Sequence, residues 1–174
     1  MEDLTLYQSM IDQKANERST EVLPNAGESH AAIVMSKMFE NTKKSVNMIV
    51  GSLDTQVCNQ NNYFKELEKC RKKGVDFKVI FLDEPDENSL AYQILKKGVG
   101  KNVQMKRASE SVKTSLTRLK EPDNPIHFSV FDDDKYRYEK DSKKFLALVC
   151  FNDKKNAHTL KGFFDDYFSE STSI

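Results

Sequence analysis

The run from Val75 to Leu82 constrains the fold more than any other part of this chain. It is rich in β-branched and aromatic residues, and it closes on the uninterrupted apolar stretch Val79-Ile80-Phe81-Leu82. That pattern suits a strand in a sheet covered on both faces. Helical patterns flank it. Before it, Tyr63, Phe64, Leu67 and Cys70 fall on one helical face, Asn59 or Asn61 offers the cap, and Gly74 supplies a left-handed stop. After it, Asp83-Glu84-Pro85-Asp86 breaks the strand, and Leu90, Ala91, Ile94 and Leu95 mark another helix that closes near Gly98. A buried strand between two helices points to an α/β layer structure.

The alternation extends in both directions. A helix is expected over about 29–44, burying Ile33, Val34, Met38 and Phe39, followed by a strand over 46–52. Val103 and Met105 mark a short strand. From Ile126 the pattern changes: 126–131, 136–140 and 145–151 read as consecutive strands, with Asp132-Asp133-Asp134 as a turn, which gives an antiparallel meander. A last helix runs from Lys154 to Phe168, capped by Asn152 or Asp153, with Ala157, Leu160, Phe163, Phe164, Tyr167 and Phe168 as its apolar stripe. Leu4, Tyr7, Met10, Ile11 and Ala15 recur at helical spacing ahead of the breaker cluster Leu23 to Gly27. Residues 1–27 therefore read as an appended N-terminal helix and linker, 28–170 as the main domain and 171–174 as a frayed tail. The expected class is α/β, a mixed β-sheet sandwiched by helices.

With 174 residues, 38% hydrophobic and 31% charged, the chain can build one domain with a substantial core but not two large ones. No apolar run approaches the length of a membrane span. Met1-Glu2-Asp3-Leu4 lacks the basic and apolar segments of a secretory signal, so a cytoplasmic location without a membrane partner is expected. Cys58, Cys70 and Cys150 are odd in number and show no CxxC spacing, while His30, His127 and His158 form no pair at helical spacing. Neither disulfides, nor a metal, nor a cofactor is expected from them.

The formal net charge is zero, which leaves no global footprint for nucleic acid. Locally the balance is uneven. Lys101, Lys106, Arg107, Lys113, Arg118 and Lys120 stand against Glu110 alone, and the acidic stretch Glu121 to Asp141 follows directly. Two readings stay open: a solvated surface, or a basic flank to an anion site near His127. His30 begins a helix after Asn25-Ala26-Gly27-Glu28-Ser29, where either exposed N–H groups bind an anion or Ser29 or Asn25 acts as a plain cap.

The chemistry-bearing stretch is His127-Phe128-Ser129-Val130-Phe131-Asp132-Asp133-Asp134. Strand alternation puts His127, Ser129 and Phe131 on one face and Phe128 and Val130 on the other. Asp134 either orients the imidazole or serves the turn.

This stretch is similar to the phosphodiesterase signature His-x-Lys-x-x-x-x-Asp, with Ser129 in the lysine's place. The order of elements adds to it: a helix over 29–44, a strand, a helix ending in Arg71-Lys72-Lys73-Gly74-Val75, a strand ending in Phe81-Leu82-Asp83, a helix and a short strand. With the last strand and helix from Phe145 to Phe168, residues 28–170 resemble one repeat of the phospholipase D superfamily. The resemblance implies that fold and a site in which two such motifs, from two repeats or two subunits, meet. One histidine attacks phosphorus to give a phosphohistidine, the other protonates the leaving group, and the lysines hold the non-bridging oxygens. It further implies that a single-repeat chain dimerises, His127 facing its symmetry mate.

The sequence departs from that pattern twice. Ser129 is neutral, and losing a donor that stabilises transition-state charge costs about 10²–10³ in rate. The family's Gly-Ser-x-Asn turn is replaced by the charged hairpin Lys135 to Ser142, which leaves Asn152 as a distant stand-in. Arg137 is the available substitute cation, since a guanidinium matches phosphate oxygens with two parallel hydrogen bonds; the other reading is an exposed Arg137 paired with Glu139 or Asp134. The expectation is a pseudoenzyme, a catalytically degenerate phospholipase D-like domain that binds a phosphate-bearing ligand, nucleic acid or protein partner. His127, Ser129, Asp134, Arg137 and Asn152 form its binding set, and residues 4–18 offer a docking element for a protein partner. The alternative is an active, metal-independent phosphodiesterase or nuclease, a homodimer with paired His127 as the catalytic residue.

Overall fold

The computed structural model describes residues 4–53 and 55–174. The reading made on Met1 to Asp3 lies outside them. In chain order the elements are α1 (Leu4–Asn16), β1 (Leu23–Asn25), α2 (Glu28–Glu40), β2 (Ser45–Val50), α3 (Thr55–Cys58), α4 (Asn61–Lys72), β3 (Asp76–Phe81), α5 (Leu90–Lys96), β4 (Val103–Arg107), α6 (Glu110–Leu116), β5 (His127–Phe131), β6 (Lys135–Asp141), β7 (Leu146–Cys150), α7 (Lys154–Ser169) and β8 (Thr172–Ser173).

The strands form a single mixed sheet in the order β1-β7-β6-β5-β2-β3-β4-β8. β2, β3 and β4 are parallel, linked by crossovers through α4 and α5, and β5, β6 and β7 form the antiparallel meander. β2 is the strand where the two halves meet, parallel to β3 on one side and antiparallel to β5 on the other.

Both faces of the sheet are covered, as the apolar run of β3 demands. Phe77, Val79 and Phe81 point into a core shared with α1, α2, α4 and α5, while Ile80 and Leu82 point into a second core beneath α6 and α7. Phe39 of α2 centres the first, meeting Tyr63 edge-on at 5.3 Å and Phe131 at 5.8 Å. Each such fully buried ring contributes about 2–3 kcal/mol of transfer free energy. Phe164 and Phe168 stack at 5.6 Å in the second core. β5 obeys the same alternation, with Phe131 in the first core and Phe128 and Val130 in the second.

Several boundaries differ from the sequence expectation, each for a physical reason. The Leu23-Pro24-Asn25 breaker pairs as an antiparallel edge strand with β7, where the proline's missing N–H is tolerated. The tail is not frayed up to its end: Thr172 and Ser173 pair with Arg107 and Lys106 on the opposite edge. Part of the basic segment is helical, because Ser109 caps α6 by accepting from the Val112 N–H. Neither Asn59 nor Asn61 caps α4. The residue before the helix is Gln60, and Asn59 instead accepts from the Leu90 N–H at 3.0 Å. Gly74, at φ +85°, ends the α4 region as expected.

The aspartate turn has a second task. Asp132 and Asp133 take left-handed backbone angles, φ 54° and 64°, as a tight hairpin between β5 and β6 requires. The Asp132 carboxylate then accepts from the N–H groups of Lys43, Lys44 and Ser45 at 2.8, 2.6 and 3.1 Å, tying the hairpin to the start of β2. Burial alone would push this carboxyl up, but those three N–H groups and Lys135 outweigh it and hold it below its ordinary value.

Candidate functional site

A cleft of about 260 Å³ opens where the parallel and antiparallel halves of the sheet part company. It lies beyond the carboxyl ends of β2 and β3, at the start of β5 and the end of β6. Crevices at such switch points are the general ligand position of open α/β sheets. The cleft has a polar side, formed by Asp83, His127, Ser129, Arg137 and Glu139, and an apolar side that includes Met35, Met48, Leu53, Val57 and Phe145.

Strand register assembles the polar side. His127 lies opposite Glu139, and Ser129 lies opposite Arg137, so all these side chains share one face. Glu139 is the hub. Its Oε2 takes the His127 Nδ1 at 2.9 Å, and its Oε1 accepts from both terminal nitrogens of Arg137 at 3.1 Å. Arg137 Nε donates in turn to Asn25 Oδ1 at 3.0 Å, while Asn25 Nδ2 donates to the Phe145 carbonyl at 3.3 Å. Arg118 secures the same strand by donating to the Glu139 carbonyl at 2.9 Å.

The charge state follows from this wiring. Burial alone would push Glu139 up, but the His127 hydrogen bond and the Arg137 guanidinium outweigh it and hold the carboxyl below its ordinary value. Glu139 is therefore an acceptor, and His127 Nδ1 is the donor. That fixes the ring and leaves Nε2, buried and without a hydrogen-bond partner among the described residues, facing the cleft. Gly51 faces the same space: a Cβ there would stand 3.2 Å from Asp83 Oδ2, 3.6 Å from His127 Cε1 and 3.9 Å from His127 Nε2. Tyr63 borders the cleft as well, its phenol pushed well above the ordinary value by burial first and by the electrostatic effect of Cys58 second.

The expected site residues divide. His127, Ser129 and Arg137 come together in the cleft. Arg137 is not exposed: it is buried and paired with Glu139, so it sits beside Ser129 with its charge already met. Asp134 lies at the far end of β5 and β6, where it pairs with Arg18 at 2.8 Å and Lys135 at 2.7 Å. Asn152 donates to the Arg18 carbonyl at 3.1 Å in that same region. Neither lines the cleft.

The basic segment 101–120 does not line it either. Lys106 donates to the Phe168 carbonyl at 2.8 Å and sits 4.3 Å over that ring, Arg107 pairs with Glu84, and Lys113 pairs with Glu110. His30 stacks on Tyr7 at 3.8 Å, joining α1 to α2. Sequence reasoning missed Asn25, Gly51, Asp83 and Glu139 as site residues. Their shared signal is spatial, since each reaches the cleft through strand pairing or a strand end.

The fold and cleft define a class: a single-sheet α/β domain with a histidine–carboxylate pair at its switch point. Its arrangement is the phospholipase D-like fold. The phospholipase D family member Nuc from Salmonella typhimurium superimposes with a TM-score of 0.60 at 14% identity, over 88% of this chain and 99% of that one. NucT from Helicobacter pylori matches with a TM-score of 0.59 at 12% identity, over 88% of this chain and 100% of that one. TrmBL2, an archaeal chromatin protein described with a novel mode of DNA binding, matches with a TM-score of 0.60 at 13% identity, over 98% of this chain and 62% of that one. No protein-family model matches the sequence, and no curated protein matches it. None of the described helices is long and apolar enough to cross a membrane.

Proposed function

We propose that this chain is a catalytically degenerate phospholipase D-like domain whose cleft binds a ligand without cleaving it, as a recognition or regulatory module. The observation that carries this reading is the commitment of Arg137. The lysine's place holds Ser129, and the one cation opposite it gives both terminal nitrogens to Glu139 and its Nε to Asn25. Phosphoryl transfer needs positive charge on the non-bridging oxygens as the transition state forms. Turning Arg137 toward a substrate would strand Glu139 in a buried setting, at a cost of about 3–5 kcal/mol.

One observation favours a second reading. His127 Nε2 has no hydrogen-bond partner among the described residues and its ring is oriented by a carboxylate, the geometry of a poised nucleophile or general base. In that reading, two copies of His127 meet across a dimer axis and hydrolyse a phosphodiester. The deciding experiment is hydrolysis of an activated aryl phosphodiester in chelator by wild type and by His127→Ala. The proposal expects equal background rates from both. A wild-type rate that His127→Ala abolishes overturns it in favour of the dimeric enzyme.

A further inference from the structure

The ligand's chemical class follows from which groups in the cleft are unmet. The inference rests on the reading above, that the cleft binds rather than cleaves. Arg137 and Glu139 satisfy one another, so they contribute little net field. Lys143, at the rim, is paired with Asp123. The Ser129 hydroxyl has no hydrogen-bond partner among the described residues. Two other groups are left. Asp83 is an exposed carboxylate at the mouth, also without a hydrogen-bond or ion-pair partner among the described residues. His127 Nε2 is buried and unpartnered among the described residues, and the tautomer that donates from Nδ1 to Glu139 presents a lone pair at Nε2.

Both acceptors line the cleft and converge on Gly51, where a Cβ would stand 3.2 Å from the carboxylate oxygen and 3.9 Å from the imidazole nitrogen. A phosphate is an acceptor and an anion, so there it would face a carboxylate and a lone pair. An ammonium group is a donor and a cation, and it meets both needs at once.

The opposite wall adds an apolar requirement. Met35, Met48, Leu53, Val57 and Phe145 line it, and two of these sit on strained backbone: Leu53 has φ 60° and Phe145 has φ 52°. A bulky residue in the left-handed region costs of order 1 kcal/mol or more. Both strained residues belong to loops that place an apolar side chain against the cleft. The volume, about 260 Å³, is at the small end for organic ligands.

We infer that the cleft takes a small amine-bearing ligand, its ammonium head held between Asp83 and His127 Nε2 over Gly51 and its apolar body against Leu53, Val57 and Phe145. The experiment compares benzylamine, benzyl alcohol and benzyl phosphate, which share a ring and differ in head group. Binding is read from the His127 imidazole resonances of the full chain. Benzylamine is expected to bind best, in the millimolar range proper to so small a molecule. Asp83→Asn, at an exposed and unpaired position, is expected to weaken benzylamine about tenfold and benzyl alcohol by clearly less. Tighter binding of benzyl phosphate, an amine preference that survives Asp83→Asn, or no perturbation of His127 by any of the three would overturn the inference. Those results are separable from failure of the binding reading itself, which shows as His127-dependent phosphodiester hydrolysis.

Discussion

Replacing Arg137 with Met and Glu139 with Leu, singly and together, tests whether the cleft's cation is committed to its neighbour. The side chains are 10% and 7% exposed, so solvent screens the pair weakly, and Glu139 Oε1 accepts both terminal nitrogens at 3.1 Å. Arg137→Met leaves Glu139 with the His127 N–H alone, and Glu139→Leu leaves the guanidinium with Asn25 alone. Each strands a buried charge, which costs about 3–5 kcal/mol. For a domain of this length, with about 2–4 °C per kcal/mol, either variant should melt roughly 10 °C lower. The double variant leaves no unpaired charge and keeps apolar volume, so it should be more stable than either single variant by at least about 1 kcal/mol. Circular dichroism melts at neutral pH, supported by urea unfolding, measure all of these. Additive losses, with the double variant the least stable, would refute the claim that Arg137 and Glu139 hold one another.

Three further outcomes follow from the geometry. Gly51→Ala puts a methyl group 3.2 Å from Asp83 Oδ2, whose exposed carboxylate can rotate away, so stability should change by less than about 1 kcal/mol while benzylamine no longer shifts the His127 resonances. Asp132→Ala removes the acceptor for three backbone N–H groups and sets alanine in a left-handed turn, which should cost about 2–4 kcal/mol in urea unfolding; Asp132→Asn, which tolerates that backbone and keeps one acceptor, should recover part of it. Glu139 and Asp132 are both held below their ordinary values, so their contribution is fully present above the unfolded-state range of about 4 and is lost as pH falls through the folded values. The melting temperature should therefore hold from neutrality to about pH 5 and drop below about pH 4, with a shallower drop in Glu139→Gln.

The sheet's centre was legible because its signals are local. The apolar run of β3, the left-handed stop at Gly74 and the alternation through His127, Ser129 and Phe131 each depend on residues a few positions apart. What the sequence hid depends on register. Glu139 faces His127 from 12 positions away because β5 and β6 pair as they do, and Asn25 reaches Arg137 from 112 positions away because β1 joins β7. Turn chemistry also misled: Leu23-Pro24-Asn25 and the serine-rich tail have the composition of breaks, yet both complete sheet edges that the antiparallel partners offer. Asp134, placed by analogy with the family's signature, belongs instead to the contact between the hairpin and Arg18. Arg137 could be named from the sequence as a substitute cation. That its charge is already met could be read only from the cross-strand pair.

In the binding reading proposed above, His127 forms no covalent intermediate with a phosphodiester. Rapid mixing of the chain with a radiolabelled aryl phosphodiester in chelator, followed by quenching in alkali, traps a phosphohistidine if one forms. No alkali-stable label above that of His127→Ala is expected. Label on the wild-type chain that His127→Ala lacks would contradict it and assign the cleft to catalysis.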